Sequence, residues 1–545
     1  MSIQYRKISY CVALLLLGFL LAACGGGGGG SSASGTTVSG TVMAGPVSGS
    51  TVIVKNSVGT TVAGPVTTGT DGSYTVTIPA AAMTGDLVFE ASGGTFPDEA
   101  TAPAVVTLTT LSAQVAAGSL AAGTQVTIDP ASTIIHKLMA GGQTRTAAFT
   151  SYSSNFGYKP DCRIKPAFAN LSSAATRPER LSGLRTAAFS QLASNMGIQA
   201  AKQFDLIHAI GTDLADGTIA GGSVVDGKTV PPDVANRYGE ALITYQQSAN
   251  NKSRLKADQI GAPVFIKTAY TDTYKVEYLT GTMAAVQGKT MFKIRLTNRV
   301  GGAAATGKAV TLRPYMYMST KSHSTPMESV VESSTPGEYD CTVYYVMSTA
   351  MAGVSMGIWE LKVTVDGESV KFFPTVAMPM GGTTTLAKLT GVIDRSDPSK
   401  PVDTDSIMGM AGKETRTWFL FNDGLSGSAG NNTFKLFLAT KEMANSMLTF
   451  PAVKINDTLF NEAGTSWPVN TIVVEVSTDK LNWTPATATG NGHWSVSGLT
   501  GLAAGTQGSI YVKLTVNGLQ KTTDGNLAGA SNGYQTFTVT PMPAP

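Results

Sequence analysis

The sequence predicts a mostly β protein: several β-sandwich domains in series, with one α-helical insert. Three observations carry that expectation. Short runs place apolar residues at every second position, as in Val52 and Val54 or Tyr74, Val76 and Ile78. These runs are cut by turn residues, among them Gly45-Pro46 and Asp71-Gly72. Only between about 126 and 260 does the period lengthen to that of a helix. A chain of 545 residues holds three or four such domains.

The N-terminal end reads as a targeting segment. Arg6 and Lys7 precede the apolar run "CVALLLLGFLLAA", which is too short for a stable span, so residues 1–23 are expected to be a secretory signal peptide. The run ends in Leu21-Ala22-Ala23-Cys24, which resembles the bacterial lipobox. That resemblance implies cleavage before Cys24 and attachment of a diacylglycerol to its sulfur. Residues 24–36, the cysteine and "GGGGGGSSASG", then form a flexible tether. Gly25 stands where an Asp would signal retention at the inner membrane, so the resemblance implies lipid anchoring in the outer membrane.

Composition narrows the partners. The formal charge is +3, and loss of Arg6 and Lys7 leaves a mature chain near +1. With charged residues at only 14%, neither nucleic acid nor an anionic bilayer surface is an expected partner. The expected partners are the membrane, through the lipid, and another component of the cell envelope.

Residues 37–125 contain "SGTVMAGPVSGSTVIVKN" and "DGSYTVTIP". Gly40-x-Val42, the "GPVSGSTV" turn and the Asp71-Gly72-x-Tyr74 hairpin resemble the carboxypeptidase regulatory-like module, a small prealbumin-like sandwich. The resemblance implies a spacer or binding platform without catalytic residues. Residues 126–260 read as a helical domain. Asp129-Pro130 is a helix start, and Leu181, Leu184, Ala188 and Leu192 fall at helical spacing. The segment resembles the helical part that follows such modules in large bacterial lipoproteins.

In 270–380 strands return. Phe292, Ile294 and Leu296 alternate with Lys293, Arg295 and Thr297. The order "MFKIRLTN", "GKAVTL", "GEY", "GIWELKVTV" resembles the YtkA/FixH-like immunoglobulin-like sandwiches, which occur around copper handling. Residues 384–545 are again β-rich and read as one larger or two small sandwiches.

Ten of the twenty methionines lie between 283 and 380. In "MYMSTKSHSTPM", Met316, Met318, His323 and Met327 offer the thioethers and imidazole that suit Cu(I). Methionine equally fills core gaps. Counting alternate residues from Val310 and Leu312 turns Met316 and Met318 inward at the rim of a sandwich. Cys162 and Cys341 either pair as a disulfide or remain two separate buried thiols.

Two motifs invite catalytic readings. Gly353-Val-Ser355-Met-Gly357 fits G-x-S-x-G, but a strand rather than a helix follows. "GAAATGKA" (302–309) lacks the P-loop hydroxyl and is expected to be a hairpin turn. His136 and His208 sit among apolar helical neighbours and read as structural, and His493 sits at a Gly-Asn-Gly turn. The expectation is a non-enzymatic, lipid-anchored envelope protein without a certain cofactor, the alternative being a lipoprotein that binds or passes Cu(I).

Overall fold

The computed structural model describes residues 35–541, apart from 282, 394–401, 406, 408–414, 429 and 445–446. The expected signal segment, Cys24 and nearly all of the expected tether lie outside the described residues. The protein is mostly β, with β-sandwiches in series and a helical insert.

In the first sandwich a three-stranded sheet, ordered Ser73–Pro79, Gly35–Val42, Gln125–Ile128, packs on a four-stranded one, ordered Thr61–Thr67, Thr51–Asn56, Asp86–Ser92, Thr110–Ala116. The alternation reaches the core as expected: Val52, Val54, Tyr74, Val76 and Ile78 are all buried. The sequence motifs meet across this sheet. Gly40 pairs with Tyr74, and the Tyr74 hydroxyl donates to the Val126 carbonyl at 2.8 Å. A Cβ on Gly40 would come within 2.2 Å of both the Tyr74 ring and that carbonyl oxygen. The tyrosine can cross the strand only where there is no side chain.

The boundary at 126 moves. Gln125–Ile128 runs parallel to Gly35–Val42, so this strand closes the first sandwich. The helical unit starts at Asp129, whose side chain accepts from Ser132 N at 2.7 Å while Ser132 Oγ accepts from Asp129 N at 2.9 Å. Burial pushes the Asp129 carboxyl up to about 6 against those bonds. Five helices follow: Pro130–Ala140, Arg145–Phe156, Arg177–Asn195, Gln203–Asp213 and Val234–Gln247. Their shared core includes Ile134, Leu138, Leu184, Ala188, Leu192 and Tyr238, with Leu181 partly buried at its edge. His136 Nδ1 lies 2.8 Å from Gln114 Oε1 and His208 Nε2 lies 3.1 Å from the Thr110 carbonyl. Both histidines thus tie the helices to the strand Thr110–Ala116.

The third unit has a five-stranded sheet, ordered Thr268–Tyr270, Tyr274–Thr280, Gly288–Asn298, Glu338–Tyr345, Val331–Glu332. Its facing sheet has six strands, ordered Glu368–Phe372, Ile358–Val365, Val310–Tyr317, His323–Ser324, Met447–Thr449, Glu442–Ala444. The last two come from beyond 380, with His323 paired in parallel to Leu448. The 270–380 segment is therefore not a closed sandwich. The 302–309 stretch is likewise not a hairpin turn: it carries the chain from one of these sheets to the other.

The C-terminal segment forms one sandwich rather than two. One sheet is ordered Leu386–Thr390, Thr417–Ser428, Asn431–Thr440, His493–Leu499, Thr487–Gly490. The other is built on Ile472–Ser477 and Gly508–Val516, the latter flanked also by Leu519–Gln520 and Gln535–Val539. The first of these sheets is apolar on both faces. Trp418, Leu420, Phe434 and Leu436 point into the C-terminal core. Phe419, Phe421, Phe437 and Ala439 point into the core of the third unit. A strand covered on both sides reads as a continuous apolar run, as "TWFLF" does.

Candidate functional site

The four residues expected to hold copper divide into two surroundings. Met316 is fully buried and stands opposite both His323 and Trp359. The His323 ring meets Trp359 and Phe450 edge-on, at centroid distances of 5.5 and 5.3 Å. Its Nδ1 lies 2.7 Å from the Ser324 carbonyl, so Nδ1 carries the proton. Burial lowers its pKa, and the imidazole is neutral. Met318 is partly buried on the same core. A Cβ on Gly357 would lie 3.1 Å from Met316 Cε and 3.2 Å from Met318 Cγ, so both side chains cover this one glycine. Met327 is elsewhere: it is 43% exposed and lines a cleft.

The methionine enrichment is not spent on the core. Of the ten between 283 and 380, Met283, Met291, Met327, Met351, Met378 and Met380 are exposed, and only Met316 is fully buried.

The disulfide alternative is not realised. Cys162 and Cys341 are both free thiols. Cys162 packs against the first sandwich and Cys341 lies within the third unit's core. Burial pushes the thiols up, to about 11 and about 12, so neither is a ready nucleophile. Ser355 belongs to a two-stranded hairpin, opposite Ala350, and the strand Ile358–Val365 follows it. That backbone has no strand-to-helix elbow.

The cleft that Met327 lines is the more developed site. It occupies about 720 Å³ between the third and fourth units. Its polar wall carries Glu328, Glu442, Asp457, Lys454, Asn491 and His493. Three acids against one lysine give these charged side chains a net of −2. Behind the wall, Asp423 gathers three donors. His493 Nδ1 donates to its Oδ2 at 3.0 Å, and Lys289 Nζ and the Tyr344 hydroxyl reach its Oδ1 at 2.7 and 2.9 Å. Burial alone would raise the Asp423 pKa. The bonds from His493, Lys289 and Tyr344 outweigh it and hold the carboxyl at about 2. Tyr344 also reaches Glu328 Oε1 at 2.6 Å, and its ring lies flat on Phe437 at 4.0 Å. Burial and the two carboxylates push its phenol up.

The bond to Asp423 fixes the proton of His493 on Nδ1 and leaves Nε2 on the Glu328 side, 3.8 Å from Oε1. Glu328, Asp423 and His493 bring their ligand atoms within 4.8 Å of one another, close enough to share a cation. Lys289 already supplies a positive charge at Asp423, so one of the trio's two carboxylates is neutralised from within. What this arrangement offers a bound molecule is an oriented imidazole and a carboxylate.

Two backbone irregularities build it. Asp423 is the extra residue of a bulge, where the pairing of Thr417–Ser428 with Asn431–Thr440 slips between Asn422 and Gly424. His493 follows the turn Gly490-Asn491-Gly492, all three at positive φ. The "NDG" within a strand and the "GNG" before the histidine are the only local signals in the sequence. Lys289, Glu328 and Tyr344 come from other strands and loops and share no spacing with them.

No family model matches this chain, and no curated protein does. Some solved structures overlap it weakly. A chimeric titin Z1Z2-Z1Z2 tandem is 10% identical, with 51% of this chain and 100% of that one covered, at a TM-score of 0.12. The titin A168169 structure is 9% identical, with the same coverage and a TM-score of 0.12. A type I pullulanase from Bacillus subtilis, complexed with maltose, is 10% identical over 46% of this chain and 24% of its own, at a TM-score of 0.10.

Proposed function

We propose that the chain is a lipid-anchored, multidomain cell-envelope protein of the outer membrane. Its role is to bind rather than to catalyse, through the cleft between the third and fourth units. The observation that carries this reading is the cleft itself: a concave polar site with a held imidazole, a carboxylate and a net negative wall. Such a wall suits a cationic or hydroxyl-rich group on another envelope component. The lipobox and tether support the anchoring half of the reading.

A photo-crosslinking amino acid at Asn491, on the cleft, tests it in whole cells. The same probe at Val300, 90% exposed and outside the cleft, is the control. A product specific to position 491 that disappears with Glu328→Gln/Asp457→Asn is expected. Identical products from both positions, unchanged by the double substitution, would sink the reading.

The second reading is a lipoprotein that binds or passes Cu(I). Met316, Met318 and His323 favour it because they gather around Gly357 and Trp359, and six exposed methionines surround the same unit. Because strands beyond 380 complete this unit, the competition against a Cu(I) chelator needs the full chain. Met316→Leu/Met318→Leu should keep the fold, at a cost under about 1.5 kcal/mol, and weaken copper retention. Equal competition by both proteins would make these residues packing alone.

A further inference from the structure

Lys521 has no solvent-exposed side-chain surface, and its Nζ is in direct contact with Oδ2 of Asp403, itself only 3% exposed. The two residues are 118 positions apart. Their backbones are splinted to the same short stretch. Thr522 N donates to the Thr390 carbonyl at 2.9 Å, and Asp403 N donates to the Val392 carbonyl at 2.9 Å. Gly391, between them, leaves the room: a Cβ there would come within 2.5 Å of Asp403 Oδ2. Indole rings wall the contact, with Nζ 5.7 Å from the centroid of Trp418 and 5.9 Å from that of Trp467. A second buried acid, Asp405, sits beside it, held by Arg416 through contacts of 2.5 and 3.0 Å.

We propose that Lys521 and Asp403 form an intramolecular isopeptide bond, with Asp405 as the proton carrier. A charged pair so far from water is costly, and the neutral pair is the reactive one. Burial lowers the Lys521 amine and raises the Asp405 carboxyl, which favours the uncharged forms at both. A proton passed from Nζ to Asp403 Oδ2 across their direct contact frees the lone pair of Nζ, which attacks Cγ. The Nζ–Cγ bond forms as the Cγ–OH bond breaks. Asp405, protonated, gives its proton to the leaving hydroxyl, which departs as water, while its other oxygen takes one from the amine. Amine plus acid gives amide plus one water, so no oxidant, reductant or further reactant is needed. The indole wall then keeps water from reversing the step. The product ties the segment that follows Leu386–Thr390 to the strand edge near the C-terminus.

A tryptic digest of the denatured full chain tests this. The expected product is a branched peptide joining residues 396–413 to 514–545, uncut after Lys521 and lighter than the sum of its parts by one water. Lys521→Arg keeps a basic side chain at the contact but has no amine to acylate, so its digest should contain no branched peptide. Asp405→Asn should fold, by circular dichroism, and form the branched peptide far more slowly. Recovery of both wild-type peptides unlinked, with cleavage after Lys521, would overturn the bond. A wild-type rate in Asp405→Asn would overturn the role given to Asp405.

Discussion

His493 and Asp423, 70 positions apart, are joined by a 3.0 Å hydrogen bond from Nδ1 to Oδ2. The contact lies within the fourth unit, and the same carboxylate joins that unit to the third at the wall of the cleft, because Lys289 and Tyr344 of the third unit also meet it. Asp423 is ionised in the fold to about pH 2, against a reference near 3.9. A depressed acid contributes stability that is present above the reference value and lost as pH falls through the folded one. Wild type should therefore lose about 2 kcal/mol between roughly pH 4 and 2 that Asp423→Asn lacks at every pH. Unfolding midpoints measured across that window check it.

Glu99 has the opposite sign. It is 2% exposed, and its Oε1 accepts from Gly45 N at 2.5 Å while Oε2 has no partner. Burial first, and the neighbouring Asp98 charge second, push it up to about 8. A raised acid contributes stability that is fully present below the unfolded value and lost as pH rises through the folded one. Heat resistance of the wild type should fall between about pH 4.3 and 8, whereas Glu99→Gln should stay level there. Thermal melts at pH 5 and pH 8 separate the two.

Gly40→Ala should be among the costlier single changes in the first sandwich. Its Cβ would meet a backbone oxygen and the Tyr74 ring at 2.2 Å, and neither can withdraw without breaking the 2.8 Å bond from Tyr74 to Val126. A loss of about 3 kcal/mol or more is expected. Gly118→Ala, which meets nothing within 4 Å, should change stability by less than about 0.5 kcal/mol. Denaturant midpoints of the two variants give the comparison.

Cys24→Ser should leave the precursor uncleaved and without lipid, since the lipobox chemistry needs the sulfur. Mass spectrometry of the mature wild-type N-terminus checks it. An unmodified Cys24, or a terminus elsewhere, would remove the anchor from the functional reading.

Local periodicity made much of the fold legible. Val310, Leu312 and Met316 are buried and Thr311 and Arg313 exposed, as strict alternation along one strand requires. Asp129-Pro130 opened a helix because its capping chemistry is written within four residues. What periodicity cannot carry is which strands meet. Nothing near His323 says that Leu448 will lie beside it, so the limit drawn at 380 cut through a sheet. The cleft was illegible for the same reason. Its charged groups come from five separate segments, and only the bulge at Asp423 and the turn before His493 leave a local trace.

Chains of β-sandwiches are commonly rearranged by genetic exchange, because each module brings its own interior. The strands Thr417–Ser428 and Asn431–Thr440 remove that freedom here, since Phe419 and Phe421 fill one interior while Trp418 and Leu420 fill another. A recombination that replaced the C-terminal module alone would hand the preceding one an open, greasy flank. The two should travel through evolution as a single heritable block of roughly the span 270–541.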